Sequence, residues 1–364
     1  MDDWKQVELS NACSRLSSGK NISAKHVTNE GIYPVYGGNG IRGYTDTYNF
    51  KSECAIIGRQ GAYCGNVRYF SGKAYMTEHA VVICGNKNSN TRFLAYLLST
   101  MQLGRLSGQS AQPGLSVKTL GQQVINLPPL KVQNAITDIL AKLDDKIEVN
   151  ESINKNLEQQ AQALYQQMFI DNVSPDSTKG TLSEIADITM GQSPSGSSYN
   201  EGGNGTIFFQ GRAEFGFRFP SVRLYTTEPK RMACANDALM SVRAPVGDLN
   251  VAHADCCIGR GLAAIHSKSN HQSFVLYTMF SLKKQLDVFN GEGTVFGSIN
   301  RDSLNDMPIL IPPDDAVDEF ERIVAPMDNT IRNNYHEICR LQDIRDCLLP
   351  RLMSGELDVS AIDL

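Results

Sequence analysis

The chain has 364 residues, of which 41% are hydrophobic and 20% are charged. This composition is typical of a soluble globular protein and excludes a wholly disordered chain. No apolar run reaches the roughly 18 residues that a transmembrane helix needs, and the N-terminus lacks the pattern of a signal peptide, so we expect a cytoplasmic protein without a membrane partner. The nine cysteines include no Cys-x-x-Cys pair. They indicate free thiols and no metal site.

The net charge of −5 is unevenly distributed along the chain. Residues 1–126 carry 13 Lys and Arg against 7 Asp and Glu, whereas residues 311–364 carry 5 against 12. Affinity for phosphates depends on local patches and not on the total charge. A nucleic-acid partner is therefore permitted despite the acidic total.

Residues 1–126 are predicted to form a mixed α/β domain. Apolar runs at 54–58 and 80–84 indicate buried strands, and 91–99 indicates a helix. The segment 38–43, Gly-Asn-Gly-Ile-Arg-Gly, fits a dinucleotide-binding pattern, but neither a helix nor a suitably placed acidic residue follows it. We interpret its glycines as a tight bend. Arg42 and the nearby aromatic residues suit a nucleic-acid surface, and an ordinary surface turn fits this loop equally well.

Residues 127–170 are predicted to form one long helix. Core positions recur in steps of three and four from Val132 to Met168, with a repeated step of four from Leu143 to Ile147. This pattern is typical of a coiled-coil seam with a stutter. About 37 residues would extend about 55 Å. An amphipathic helix packed on its own domain is the alternative.

The second half repeats this organisation. Residues 171–180 are polar and predict a linker, residues 181–310 predict a second mixed α/β domain with strands at 238–242 and 262–265 and a helix at 273–280, and residues 311–353 predict a second long helix before a tail at 354–364. The same stutter recurs from Met327 to Ile331. Pro326 and Pro350 are expected to kink or end this helix.

The two halves align over a long stretch when the sequence is shifted by 184 positions. The pairs that match include Leu120 with Leu304, Pro128 with Pro312, Asp144 with Asp328, Asn150 with Asn334 and Leu164 with Leu348. This internal repeat predicts a tandem duplication with a pseudo-twofold relation. If the two helices pair antiparallel, Asn150 and Asn334 should meet near the centre of the seam and fix its register. Exposure of both residues on the polar faces is the alternative.

Sequence signatures of catalysis are missing. The chain has neither a phosphate-binding loop nor a nucleophile elbow, and its histidines form no metal-binding pair. The sequence therefore favours a binding protein over an enzyme.

Several motifs resemble the specificity subunit of a type I restriction–modification system. They are the segment 127–147, Leu-Pro-Pro-Leu-Lys-Val-Gln-Asn-Ala-Ile-Thr-Asp-Ile-Leu-Ala-Lys-Leu-Asp-Asp-Lys-Ile, the C-terminal segment 345–357, Met-Gly-Gln-Ser-Pro at 190–194, and Arg-Ala-Pro-Val-Gly at 243–247. The resemblance covers essentially the whole chain. It implies two α/β target-recognition domains held apart by two long antiparallel helices that form a coiled coil.

The resemblance also implies a function. Each domain would read one half of a split sequence in double-stranded DNA, and the helices would act as a spacer. The chain would be non-catalytic and hold no cofactor, while methyltransferase subunits would use S-adenosylmethionine and restriction subunits would use ATP and Mg²⁺. A coiled-coil scaffold that binds only proteins is the alternative, and a system without a restriction subunit also remains open.

The residues expected to contact DNA are polar or basic side chains in both domains. In the first domain they are Asn39, Arg42, Tyr44, Arg59, Gln60, Lys73, Gln109, Ser110 and Gln112. In the second domain they are Gln192, Ser193, Tyr199, Gln210, Arg212, Arg243, Arg260 and Thr294. Arg59 and Arg243 rank first because the repeat places them at equivalent positions, and a structural salt bridge is the alternative role for each.

Overall fold

The computed structural model describes residues 4–107, 114–291 and 297–359. The chain divides into two compact units. Unit 1 comprises Met1–Ile147 and Cys339–Leu364, and unit 2 comprises Glu148–Ile338. Each unit therefore contains one mixed α/β domain together with part of each of two long helices.

Unit 1 is built on a six-stranded sheet with a separate two-stranded ribbon. Its strands are β1 (Lys5–Glu8), β2 (Cys13–Ser18), β3 (Tyr33–Gly37), β4 (Gly40–Thr45), β5 (Phe50–Gly58), β6 (Val67–Met76), β7 (Ala80–Gly85) and β8 (Val124–Leu127). Its helices are α1 (Leu9–Ala12), α2 (Thr91–Thr100), α3 (Val117–Gly121) and the first part of the long helix α4 (Leu130–Tyr165). The sheet order is β2-β7-β5-β6-β3-β4, and β1 pairs with β8 in a separate antiparallel ribbon.

Unit 2 begins with the rest of α4, which continues into a π-helical turn, Gln166–Asp171. Its strands are β9 (Thr178–Thr181), β10 (Ala186–Met190), β11 (Tyr199–Asn200), β12 (Thr206–Phe209), β13 (Leu224–Thr226), β14 (Met232–Ala233), β15 (Ala238–Ser241), β16 (Leu249–Val251), β17 (Cys256–Ile258), β18 (Leu262–Ser267) and β19 (Pro308–Ile311). Its helices are α5 (Leu182–Ile185), α6 (Gln272–Ser281), α7 (Lys283–Leu286), α8 (Arg301–Asn305) and the long α9 (Asp314–Met353), whose last part belongs to unit 1. The sheets are β10-β18-β15-β16, β11-β13-β12-β17-β14 and β19-β9.

The predicted duplication is confirmed by the sheets. The order β2-β7-β5-β6 in unit 1 corresponds strand by strand to β10-β18-β15-β16 in unit 2. In both units a two-stranded ribbon, β1-β8 or β9-β19, comes directly before a long helix. The units differ in their additional strands, because β3 and β4 extend the main sheet of unit 1 whereas unit 2 has a separate five-stranded sheet.

Apolar patterning explains the elements that the sequence predicts. The strands at 54–58, 80–84, 238–242 and 262–265 and the helices at 91–99 and 273–280 are present within a few residues. The predicted seam positions of α4 are all buried or half-buried. In α9 one of them, Ile323, is 36% exposed, because the neighbouring Val324 occupies the buried position instead.

Three expectations about boundaries need correction. The helices begin at Leu130 and Asp314, because residues 127 and 311 end strands β8 and β19. The linker predicted at 171–180 contains the start of β9, a polar strand that pairs with β19 and lacks the apolar alternation that sequence reasoning depends on. Helix α9 continues through Pro326 and ends three residues after Pro350. Buried Phe320, Val324 and Ile331 flank Pro326, and this packing offsets the lost backbone hydrogen bond.

The long helices pair antiparallel within each unit. In unit 2, the Asn334 Nδ2 donates to Asn154 Oδ1 at 2.8 Å and the Asn150 Nδ2 donates to Glu337 Oε2 at 2.7 Å. The residue numbers of the partners in α9 therefore fall as those in α4 rise. The prediction that Asn150 and Asn334 meet each other is therefore wrong by about one helical turn. The seam contains polar contacts, as the sequence predicts. Their midpoint lies two residues further along each helix than a direct pairing of Asn150 with Asn334 would place it.

The same antiparallel register holds in unit 1. The Arg345 Nη1 donates to Asp144 Oδ1 at 3.1 Å. Ile136 and Leu140 of α4 and Leu352 of α9 are buried in the core that α2 and the sheet complete. Each α/β domain thus shares its hydrophobic core with the long helices, and Tyr165, Phe169 and Phe320 have this role in unit 2.

Candidate nucleic-acid interface

In unit 1, the β3–β4 hairpin turns through Gly38 and Asn39 at the end of strand β5. A Cβ on Gly58, the last residue of β5, would lie 2.4 Å from the carbonyl oxygen of Gly38. Only glycine therefore allows these two backbone segments of the chain to approach this closely. The close approach brings the hairpin turn next to the backbone of Arg59 and Gln60.

Three arginines surround this turn, and we call Arg42, Arg59 and Arg68 the arginine cluster. The Arg42 side chain lies across Gly37, where a Cβ would be 2.4 Å from its Cδ. The Arg68 Nη2 donates to the Asn39 carbonyl oxygen at 3.4 Å, and the Arg59 Nη1 donates to Ser18 Oγ at 3.3 Å. The Arg42 and Arg68 guanidinium groups beside this hairpin, and that of Arg59 at the end of β2, can bind phosphates or the acceptor edges of bases.

Four of the predicted DNA contacts lie at this turn, together with Arg68, which the sequence did not indicate. Asn39, Arg42, Arg59 and Gln60 come together, with Gln60 Oε1 3.0 Å from His79 Nδ1. Arg68 was missed because only the cross-strand pairing of β6 brings it to the turn. No motif at its own position signals this.

Two other predicted residues of unit 1 lie elsewhere. Lys73 is five residues further along β6 than Arg68, about 17 Å away at the usual strand rise, and its Nζ lies 5.0 Å from the Tyr48 ring centroid. Tyr44 is half-buried, and its backbone pairs with Thr28. Gln109, Ser110 and Gln112 lie outside the described residues. The following residue Leu115 donates its N–H to the Arg59 carbonyl oxygen at 2.8 Å.

In unit 2, Arg243 comes two residues after the equivalent strand β15, and the backbone contacts place it at the position of Gln60. The Arg243 backbone pairs with Ser298, as Gln60 pairs with Gly114 in unit 1. Val242 takes the position of Arg59, because its N–H donates to the Gly261 carbonyl oxygen at 3.0 Å as that of Arg59 donates to the His79 carbonyl oxygen at 3.0 Å. The neighbouring loop carries Arg260, whose N–H donates to Ser193 Oγ at 3.3 Å. Arg243 and Arg260 are both exposed.

Glycines again make the close contacts in this region. A Cβ on Gly259 would lie 2.8 Å from the Gln210 carbonyl oxygen, and the Gln192 N–H donates to the Ile258 carbonyl oxygen at 3.0 Å. Five predicted residues are therefore brought to the same loops, and we call them the unit 2 cluster: Gln192, Ser193, Gln210, Arg243 and Arg260.

Two other predicted residues of unit 2, Arg212 and Tyr199, have partners inside the domain. Arg212 forms an ion pair with Asp248, which also contacts Lys283 Nζ at 3.2 Å. The Tyr199 hydroxyl donates to the Pro194 carbonyl oxygen at 3.1 Å, and its ring packs on Phe208. Thr294 lies outside the described residues. These contacts favour structural roles for Arg212 and Tyr199.

The salt-bridge alternative for Arg59 and Arg243 finds no support in residues 4–107, 114–291 and 297–359, where neither guanidinium has a carboxylate partner. Arg218 and Arg223, by contrast, pair with Glu158, Asp328 and Glu214. Without a carboxylate partner among the described residues, half-buried Arg59 and exposed Arg243 are available to an external anion.

Three side chains of unit 2 have donor atoms close enough to be considered for a metal ion. The ligand atoms of Cys234, Asp237 and His266 lie within 4.8 Å of one another. Asp237 is buried, and this burial raises the pKa of its carboxyl group. Its oxygens already accept the Cys234 N–H at 2.8 Å and contact His266 Nδ1 at 2.6 Å. The group is therefore a hydrogen-bonded turn whose carboxylate is occupied by these partners.

Comparison with known proteins gives the family. A model described as "Type I restriction modification DNA specificity domain" matches residues 1–159. The putative type I restriction enzyme MjaX specificity subunit of Methanocaldococcus jannaschii is 30% identical over 329 residues, covering 82% of this chain and 76% of that protein. The chain belongs to the type I restriction–modification specificity subunits.

Other specificity subunits are similar over shorter or more divergent stretches. The EcoprrI specificity subunit of Escherichia coli is 40% identical over 134 residues, which are 36% of this chain and 33% of that protein. The crystal structure of a type I S subunit from M. genitalium has a TM-score of 0.68 at 17% identity and covers 96% of both chains, so it shows that the fold is shared. A specificity subunit is the non-catalytic member of its enzyme. Among the described residues, no helix is long and apolar enough to cross a membrane.

Proposed function

We propose that this specificity subunit reads a DNA sequence in two halves, one with the arginine cluster and one with the unit 2 cluster. The observation that carries the proposal is an arginine within two residues of the end of the same strand in both copies, Arg59 after β5 and Arg243 after β15. Each follows the corresponding strand of a duplicated sheet, is exposed or half-exposed, and lacks a carboxylate partner among the described residues. A duplicated reader predicts two half-sites, because each copy presents its own set of donors.

The long helices supply the spacer in this proposal. Helix α4 has 36 residues and α9 has 40, so each extends about 54–60 Å at about 1.5 Å per residue. Equivalent features of a DNA duplex recur about every 34–36 Å. Helix length would then set the number of unread base pairs between the half-sites.

The subunits that perform the chemistry are also part of the proposal. We infer that methyltransferase subunits bind this chain, use S-adenosylmethionine and methylate an adenine after flipping it out of the duplex. Restriction subunits would add translocation and cleavage with ATP and Mg²⁺. A cytoplasmic location follows from this function, since the DNA and these partners are there.

The test is a map of methylated adenines in a host genome with and without this gene. The proposal predicts one bipartite motif with a fixed gap that disappears with the gene. Arg59→Ala should relax one position of one half-site, and Arg243→Ala should relax a position of the other, each with a loss of about 1–3 kcal/mol. Arg322→Ala is the control, because Arg322 is exposed on α9 and its guanidinium pairs with Glu319 of the same helix.

Three outcomes would contradict parts of this reading. Equal weakening at all DNA sequences would assign Arg59 to a phosphate. Insertion of whole helical turns in both α4 and α9 without a change of gap would contradict the spacer role. A complex whose affinity for DNA is weak and independent of salt would favour the protein-binding scaffold instead, because phosphate contacts make binding strongly salt-dependent.

A further inference from the structure

Each unit contains an equivalent hydrogen bond between its α/β domain and a long helix. Tyr96 is the sixth residue of α2 and Tyr277 is the sixth residue of α6. The Tyr96 hydroxyl donates to Asp144 Oδ2 at 2.5 Å, and the Tyr277 hydroxyl donates to Asp328 Oδ1 at 3.0 Å. Asp144 and Asp328 are in turn the fifteenth residues of α4 and α9. The duplication has thus retained the same bond at the same place in both units.

Arginines complete each hydrogen bond, but they come from different elements. In unit 1, Arg92 Nε donates to the Tyr96 hydroxyl at 3.2 Å, and Arg345 of α9 donates to Asp144 at 3.1 Å. In unit 2, Arg218 forms ion pairs with Asp328 and, at 3.0 Å, with Glu158 of α4. We call the Tyr96–Asp144 and Tyr277–Asp328 pairs, with their arginines, the two latches.

The latches are placed where a hydrogen bond constrains orientation. Apolar side chains surround each bond, with Phe93, Leu94 and Ile136 in unit 1 and Phe274, Leu276 and Phe320 in unit 2. Other polar contacts between domain and helix lie at the start of α2 and α6, where the Asn90 N–H donates to Gln133 Oε1 at 2.8 Å and the Ser273 N–H donates to Glu321 Oε1 at 3.1 Å. Apolar packing is not directional, whereas a charge-assisted hydrogen bond weakens steeply when its angle changes. A Tyr–Asp bond in the middle of α2 or α6 therefore limits rotation of the domain about the polar contacts at the helix start, which the apolar packing around it does not do.

The chemistry of the latches keeps them engaged at neutral pH. Burial raises the pKa of both tyrosine hydroxyls well above their usual range, so each stays protonated and able to donate. Arg218 is only 4% exposed and also lies 5.5 Å from the Tyr277 ring centroid. An unpaired partner left in such an environment is costly, so the network stays intact as a unit.

We propose that the two latches fix the angle of each domain on its long helix and thereby the gap between half-sites that the subunit accepts. This inference rests on the proposed function, because it concerns the spacing of two DNA half-sites. Tyr96, Asp144, Tyr277 and Asp328 are positioning residues and not DNA contacts. One base pair of gap is about 3.4 Å along the duplex together with a rotation, so a small change in domain angle alters the preferred gap.

The experiment uses the full complex in cells without other adenine methylation. The variants are Tyr96→Phe and Tyr277→Phe, each of which removes a single oxygen atom. Tyr75→Phe is the matched control, because its hydroxyl donates to the Asn21 carbonyl oxygen at 2.9 Å inside the domain of unit 1. The readout is the fraction of motif copies methylated when the gap is one base pair shorter or longer than normal.

Each latch variant should raise methylation at the altered gaps by about tenfold or more relative to the normal gap, a factor equal to about 1.4 kcal/mol. The control should leave the ratio unchanged. Unchanged gap selectivity in both latch variants would overturn the proposal. So would loss of methylation at every gap in a variant that melts at the normal temperature, since the residues would then be needed for reading itself.

Two features keep the test decisive. If Tyr277→Phe fails to fold, Tyr96→Phe in the less buried unit 1 latch still gives the answer. If the unaltered protein yields no bipartite motif, the proposed function fails and not the latch.

Discussion

Substitution of Arg218 by methionine tests the energetics of the buried network in unit 2. The change keeps an extended apolar side chain but removes the guanidinium that pairs with both Glu158 and Asp328. Asp328 retains the hydroxyl of Tyr277 as a donor. Glu158 is only 15% exposed, and Arg218 is its ion-pair partner among the described residues, so it becomes an uncompensated carboxylate.

The expected loss is about 3–5 kcal/mol in the free energy of unfolding of unit 2 at neutral pH, which is the usual cost of leaving one partner of a buried ion pair. The loss should shrink on acidification. Burial already raises the pKa of Glu158 above its ordinary value of 4.5, and loss of the cation raises it further. The folded variant then binds more protons than the unfolded chain between these two pKa values, so its stability increases as the pH falls through that interval.

Hydrogen exchange measured by mass spectrometry at pH 8 and pH 5.5 is the appropriate assay, because it reports each unit separately. Peptides of α6 and β18 should exchange faster in Arg218→Met, and those of β5 and β7 in unit 1 should serve as internal controls. Arg218→Met combined with Glu158→Gln should recover part of the lost protection at pH 8. A loss below about 1 kcal/mol, or an equal loss at both pH values, would refute the argument that a buried carboxylate dominates the effect.

Three further predictions concern local contacts. Gly58→Ala should destabilise unit 1 by about 1–3 kcal/mol, because the new Cβ would lie 2.4 Å from the Gly38 carbonyl oxygen. Maps of methylated adenines should then show relaxed reading of one half-site only. Unaltered maps would contradict the role of this turn. Asn154→Leu should raise the melting temperature yet allow the two long helices to slip past each other, since buried polar seam residues fix register. Disulfide trapping of cysteine pairs introduced at shifted positions would detect the slip. A single trapped register would argue against it. Glu321→Ala should lower the free energy of unfolding by about 0.5–2 kcal/mol, because the Glu321 carboxylate accepts the N–H groups of Ser273 and Phe274 at the start of α6. Chemical denaturation measures this loss. A neutral effect would show that water replaces the carboxylate as the helix cap.

The parts of the fold that sequence reasoning anticipated are those with long or strongly apolar patterns. The seams of α4 and α9 are readable because about forty residues repeat the same spacing, and β7 and β18 are readable because their residues are almost all buried. Strands β9, β11 and β14 have only two to four residues each, too few to show an alternating pattern, so packing and not pattern defines them.

The candidate site was anticipated only where a residue carries its own signal. Arg59 and Arg243 stand out because the repeat equates them, and Asn39 and Arg42 stand out beside glycines. Arg68 reaches the same turn through cross-strand pairing, and the Tyr96–Asp144 bond joins elements 48 positions apart in the chain. Register likewise depends on which faces pack best, which is why the seam asparagines bond to Glu337 and Asn154 and not to each other.

The division of the chain between the two units has a consequence for biosynthesis. Unit 2 is one uninterrupted segment, Glu148–Ile338, whereas the core of unit 1 needs Leu352, Met353 and Val359 from the far end of the sequence. Domains fold as their residues leave the ribosome, so the second unit to be translated is the first to be completed. Until translation reaches the last turns of α9, Ile136 and Leu140 of α4 lack Leu352 and Met353 as partners in the core of the first unit.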